Sequence, residues 1–201
     1  MSEVIAARYQ TLFLRNYARS KLATDPLYAA VADRLRGIDL PIIDVGCGIG
    51  LMAAYLRERG FALPITGIDH DAMKIAEAQR AISSARFEVR DARDFDAKGA
   101  CVLLLDVLHY LTDDDQMRVL AGAARADIVI IRDAIRDATW RYRATLIAEA
   151  FAVGIRWTKA ERLNFPPRER ITNAFEGFSA GVTPMWGSTP FNNYLFVFKR
   201  E

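Results

Sequence analysis

Residues 42–56 read IIDVGCGIGLMAAYL: an apolar run interrupted by an acid, three glycines at alternate positions, and then an amphipathic stretch. Few local structures suit that order of residues. Glycines so spaced allow left-handed backbone and close approach of a ligand, and a strand that turns sharply into a helix needs both. The stretch therefore predicts a ligand site at the carboxyl end of a first strand, where a ligand meets free backbone N–H groups.

The remaining pattern fits an α/β fold, because short apolar runs alternate with helix-period segments, as parallel strands covered by helices on both faces require. Strands are predicted at Pro41–Val45, Pro64–Asp69, Arg86–Arg90, Cys101–Asp106 and Asp127–Arg132. Helices are predicted at Gly50–Arg59, closed by a left-handed Gly60, and at Asp71–Ile82 and Asp113–Ala123. Ahead of the first strand, Val4–Tyr17 and Pro26–Leu35 read as helices, the second with Asp25 as its N-cap. Beyond the fifth strand, helices at Thr139–Ala152 and Pro167–Phe175 precede two extended segments, Gly177–Met185 and Asn193–Lys199, which form an antiparallel hairpin at the sheet edge.

With 27 basic and 25 acidic residues the net charge is +2, and no Lys/Arg block is longer than a dipeptide. A nucleic-acid or membrane-surface partner is not indicated. The N-terminal stretch has charges every few residues and no apolar core of signal-peptide length, and Cys47 and Cys101 are the two cysteines. A reducing cytoplasm suits such a chain.

The glycine spacing separates two cofactor classes. A dinucleotide turn of the form G-x-G-x-x-G needs glycine where Leu51 stands, because Gly50 comes one residue early. Asp44 lies just ahead of the turn, and a fixed carboxylate there repels a pyrophosphate. S-adenosylmethionine, with an ammonium and a sulfonium and no phosphate, reverses that preference.

At this point the residues resemble a known family. IIDVGCGIG is similar to the first motif of class I S-adenosylmethionine-dependent methyltransferases, and three further stretches occur in the family's order: ITGIDHD, FEVRDARDFD and VLLLDVLHYLTDDD. The resemblance implies a Rossmann-like, seven-stranded, mostly parallel sheet with an antiparallel C-terminal hairpin and helices on both faces. It implies a cofactor site made of Asp44, Gly46, Cys47, Gly48 and Gly50, with Asp69 on the ribose hydroxyls and His70 beside it. Asp91 and Ala92 would meet the adenine, and Asp106 and Val107 the methionine moiety.

On this reading residues 1–201 are one domain, with 1–38 a helical cap, 39–135 the cofactor-binding core and 136–201 the substrate-side helices and hairpin. The N-terminal stretch and the FP…MWGSTPFNNYLFVF tail also resemble small methyltransferases found with aryl-polyene or fatty-acyl-type biosynthetic enzymes. That points to a hydroxyaryl or acyl acceptor, free or carrier-protein linked. Arg19 is the candidate for the cofactor's carboxylate, Tyr17, Tyr110, Trp140 and Trp186 for the acceptor wall, and His109, three residues after Asp106, for a general base. Asp113–Asp115 belong to a helix's first turn, where carboxylates favour the dipole, and no metal site is expected. Two rivals share parts of this pattern: an NAD(P)-dependent oxidoreductase and a non-catalytic cofactor-binding subunit.

Overall fold

The computed structural model describes residues 1–154, 163–186 and 189–201. Parallel strands β1 (Ile42–Val45), β2 (Ile65–Asp69), β3 (Arg86–Val89), β4 (Cys101–Leu105) and β5 (Ile128–Ala134) are joined to β6 (Phe178–Pro184) and β7 (Asn193–Arg200) in the order β3-β2-β1-β4-β5-β7-β6. β7 runs antiparallel to β5 and β6 antiparallel to β7. This is the Rossmann-like sheet with the C-terminal hairpin that the sequence predicts.

Side-chain parity divides the core. Cys101 and Leu103 of β4 and Ile130 of β5 point into one apolar cluster, Val102, Leu104, Val129 and Ile131 into the other. Successive residues of a strand face opposite sides, so strands covered twice need apolar residues throughout. Each such buried side chain contributes roughly 1.5–3 kcal/mol. Helices α1 (Ser2–Ala6), α2 (Leu12–Thr24), α3 (Leu27–Leu35), α4 (Leu51–Glu58) and α5 (Ala72–Ala81) supply the first cluster, and α6 (Asp113–Ala123) and α8 (Arg168–Asn173) the second. The remaining helix, α7, spans Trp140–Gly154.

Several boundaries differ from the sequence reading. The helix expected over Val4–Tyr17 is broken into α1 and α2, because the intervening chain dips to bury Tyr9 completely, with its hydroxyl donating to the Ile49 carbonyl at 3.3 Å. Thr11 restarts the helix by accepting from Leu14 N at 3.1 Å. α3 begins at Leu27, although Asp25 still serves its first turn by accepting from Leu27 N at 3.0 Å. α8 is shorter than the expected Pro167–Phe175.

The connections reverse direction at β1, which lies between β2 and β4. Crossovers leave on opposite sides there and open a crevice beyond the carboxyl ends of the strands. Among the described residues, no helix is long and apolar enough to cross a membrane.

Candidate active site

The crevice is a cavity of about 1300 Å³ lined by the β1 turn, the ends of β2, β3 and β4, and residues from α2 and α3. That exceeds the usual range for a single small ligand, roughly 300–1,000 Å³. It leaves room for two.

The glycine turn is built from its amides. Gly46 N and Cys47 N both donate to the Ile68 carbonyl, at 2.8 and 3.0 Å, and Gly48 N donates to Asp69 Oδ2 at 2.9 Å. The expected free N–H groups are therefore not free at these three positions: the end of β2 takes them. Gly46 has φ +75°, and a Cβ on it would stand 2.4 Å from Val107 Cγ2, so neither the dihedral nor the space admits a side chain.

Carboxylates surround this turn. Asp69, 8% exposed, accepts from Gly48 through Oδ2 and from Asp71 N through Oδ1 at 2.9 Å, so one side chain fixes the turn and the entry to α5. Asp44 is 3% exposed beneath it, and burial, then the nearby Asp69, push its carboxyl up to about 7. His70 lies at the cavity with most of its ring in solvent, Nδ1 3.5 Å from Asp69 Oδ1. Cys47 is half-buried and burial pushes its thiol up, which suits packing rather than nucleophilic chemistry.

At the far end, Asp91 and Ala92 follow β3. Arg93 binds Asp91 through Nε at 2.8 Å and reaches Asp115 of α6 at 3.0 Å. Its hydrogen bond, more than any other influence, holds the Asp91 carboxyl down at about 2. Asp113 and Asp115 open α6 behind the Thr112 cap, Asp113 with Asn164 at 2.7 Å and Arg170 at 2.5 Å. Among the described residues, no group of three or more His, Cys, Asp and Glu is placed to hold a metal ion.

Beyond β4, Asp106 takes φ +59°, the sole non-glycine with positive φ among the described residues, and lines the cavity with Val107 and Tyr110. His109 does not. It is 2% exposed, its Nδ1 donates to Asp133 Oδ1 at 2.6 Å, and its ring stacks on Phe165 at 5.1 Å. Fully buried Asp133 also accepts from Leu108 N at 2.9 Å and Ala134 N at 2.8 Å, so it organises the 3-10 turn Leu108–Tyr110 that sends Tyr110 outward and His109 inward. The general-base candidate is thus buried outside the cavity lining, with its ring against that of Tyr110 at 3.9 Å, a geometry that suits a structural role. His109→Asn is expected to lower unfolding free energy by about 1–3 kcal/mol through the lost buried bond and ring packing. Its cofactor affinity should match the parent's, which chemical denaturation and calorimetry on the same sample would check; a large loss of affinity at full stability would return it to the site.

Arg19 is also displaced from its expected place. It is exposed and bound to Glu3 at 2.5 Å and Asn16 at 2.7 Å, outside the cavity lining. Lys21, one helical turn from Tyr17, lines the cavity with it, together with Leu27 and Tyr28. Trp140 is 63% exposed and Trp186 packs against Arg141 and Tyr194, and neither lines the cavity. Lys74, Arg136, Asn164 and Phe191 do line it.

A Methyltransferase domain family model matches residues 42–127. Trans-aconitate 2-methyltransferase of Escherichia fergusonii is 40% identical over 63 residues, which cover 31% of this chain and 25% of that relative. The matched stretch thus spans about a quarter of the length of that relative. Magnesium protoporphyrin IX methyltransferase from Synechocystis PCC 6803, solved with bound S-adenosylhomocysteine, superimposes with a TM-score of 0.68 at 19% identity, covering 98% of this chain and 92% of that one. A [4+2]-cyclase superimposes at 0.63 with 16% identity, over 88% of this chain and 80% of its own. The fold is therefore shared with proteins of different named chemistry.

Proposed function

We infer that the chain is a class I S-adenosylmethionine-dependent methyltransferase, a reading supported by the methyltransferase-domain match over residues 42–127, and that the cavity binds S-adenosylmethionine and serves methyl transfer to a small-molecule acceptor, with release of S-adenosylhomocysteine. One observation carries the choice of cofactor. The turn's first three amides are consumed by Ile68 and Asp69, and two carboxylates, Asp44 and Asp69, face the same space. A pyrophosphate would meet acids and find no donors at those positions, whereas a cationic, phosphate-free ligand gains from both.

Within this reading Asp69 accepts from the ribose hydroxyls, Asp44 faces the ammonium end through the turn, and Asp91 and Ala92 border the adenine. Asp106 and Val107 flank the methionine moiety, and Lys21, which lines the cavity as Arg19 does not, takes the place expected of Arg19. Its ammonium is resisted by burial but held charged by Asp106 and Asp25, which raise its pKa. S-adenosylmethionine supplies an electrophilic methyl on a sulfonium. The protein's part is to align an acceptor against it and keep water away, tasks suited to Tyr17, Tyr28, Tyr110 and Phe191 in the cavity lining. Four aromatic side chains there favour a planar acceptor, such as a hydroxyaryl compound, over an acyl chain, free or carrier-linked. The free thiols of Cys47 and Cys101 fit residence in the reducing cytoplasm.

Parallel titrations with S-adenosylmethionine and NADH test the choice. The expected result is saturable binding of the first and none of the second; the reverse pattern would establish the oxidoreductase alternative. Screening aryl and acyl acceptors for S-adenosylhomocysteine formation then separates a working enzyme from a cofactor-binding subunit.

A further inference from the structure

Arg132 is a buried cation that the proposed chemistry leaves without a role. It lies on β5, with backbone partners on both sides in Leu105 of β4 and Leu195 of β7. Its side chain is 6% exposed. One guanidinium nitrogen donates to Asp25 Oδ2 at 2.5 Å, across 107 residues of sequence, and the other binds Asp106 Oδ1. Asp25 joins α2 to α3, and the same Oδ2 accepts from Lys21 Nζ at 3.2 Å. The bridge thus runs from the two N-terminal helices that supply Tyr17, Lys21, Leu27 and Tyr28 to the strand end that supplies Asp106.

Such a bridge is a poor source of stability, because desolvating three charged groups offsets most of their attraction. Directional bonds do something that the apolar packing of α2 and α3 cannot. Apolar contacts allow helices to slide by fractions of an ångström, whereas a planar guanidinium held by two carboxylates fixes one register. A non-glycine residue at φ +59° is costly unless its surroundings determine it, and Arg132 is what holds the Asp106 carboxylate.

We propose that Arg132 is a positioning residue: by bridging Asp25 and Asp106 it sets Lys21 and Tyr17 against the methionine end of the cofactor and fixes the Asp106 carboxylate beside it. The proposal rests on the cofactor reading above. It is tested by calorimetric titration with S-adenosylhomocysteine of the parent, Arg132→Gln, Arg132→Lys, Asp25→Asn and the combined Asp25→Asn/Arg132→Gln variant. Asparagine at position 25 keeps an oxygen for Leu27 N and replaces the charged acceptor of the bridge with an uncharged NH2 donor. Expected are a tenfold or greater loss of affinity in Arg132→Gln, a comparable loss in Asp25→Asn, partial recovery in Arg132→Lys, and no further loss in the combined variant, since both changes break one bridge. A merely structural Arg132 would lower the melting temperature and leave the affinity of the folded fraction unchanged. Parent affinity in folded Arg132→Gln, or losses that add in the combined variant, would overturn the proposal. Should Arg132→Gln fail to fold, Asp25→Asn decides alone, parent-like affinity again overturning it. A parent protein that does not bind S-adenosylhomocysteine overturns the cofactor reading itself, and the proposal with it.

Discussion

Asp69→Ala is expected to abolish measurable cofactor binding at concentrations that saturate the parent. Hydrogen bonds to a charged group contribute about 1.5–3 kcal/mol each. The ribose alone would account for a loss near that size, but Asp69 also holds Gly48 N and Asp71 N at 2.9 Å, so its removal unfastens the turn and the start of α5 together. A combined loss of about 3 kcal/mol or more corresponds to roughly a hundredfold or greater weakening. Asp69→Asn should fall between, because its oxygen can serve one amide while its NH2 confronts the other. Calorimetry paired with urea unfolding reads both parts; a folded Ala variant that bound as tightly as the parent would take Asp69 out of the site.

The second large effect is one of pH. Asp44 holds its proton up to about 7, whereas its ordinary value is 3.8. Where the cofactor's cationic end selects the carboxylate, binding below pH 7 must first expel that proton, so affinity should fall by up to about tenfold per pH unit on acidification. Stability runs the other way. The folded state retains a proton that the unfolded chain has released, so the free protein is most stable, on this account, below about pH 4. It then loses stability as pH rises to 7, by an amount of order 4 kcal/mol, and is level above. Asp44→Asn, neutral and nearly isosteric, should flatten the affinity profile, bind more weakly at pH 8 and unfold at a higher urea concentration there. Retention of the parent's pH slope in the Asn variant would assign the titration to another group.

The residues proposed for the cofactor were legible in the sequence because they sit in short motifs at strand ends, where fold and site are dictated by the same few positions. Asp44, Gly46, Gly48, Asp69, Asp91 and Asp106 reach the cavity for that reason, whereas Gly50, expected with them, packs against Phe87 and Ile82 and lies outside the lining. The rest of the lining is assembled from residues far apart in the chain, such as Tyr28, Arg136, Asn164 and Phe191, and no local pattern joins them. Where a pattern did exist it was misjudged. Tyr17 and Lys21 are four apart and share a helix face, whereas Arg19 points elsewhere, which helical spacing alone could have shown. For His109, nearness in sequence to Asp106 said nothing about exposure. The His109 and Tyr110 rings touch, with centroids 3.9 Å apart, yet only Tyr110 lines the cavity, and it is the bond from His109 to buried Asp133 that accounts for the difference. The break between α1 and α2 was hidden for a similar reason: helix-period spacing continues through Tyr9, and what interrupts it is a hydrogen bond to Ile49, forty residues on.

The place of β7 between β5 and β6 has a consequence for the order of assembly. Strands β1 to β5 and their crossovers are contiguous in sequence and can pair as they are synthesised, but β5 then presents its full outer edge, Ile128 to Ala134, until residues 193–200 arrive to cover it. Non-local pairing is slow, and an uncovered apolar strand edge is where nascent chains find wrong partners. The half-built protein is thus at its most adhesive while its cofactor motifs are already complete. A cofactor able to bind that early would hold β1, β2 and β4 in register while the chain waits for its last inner strand.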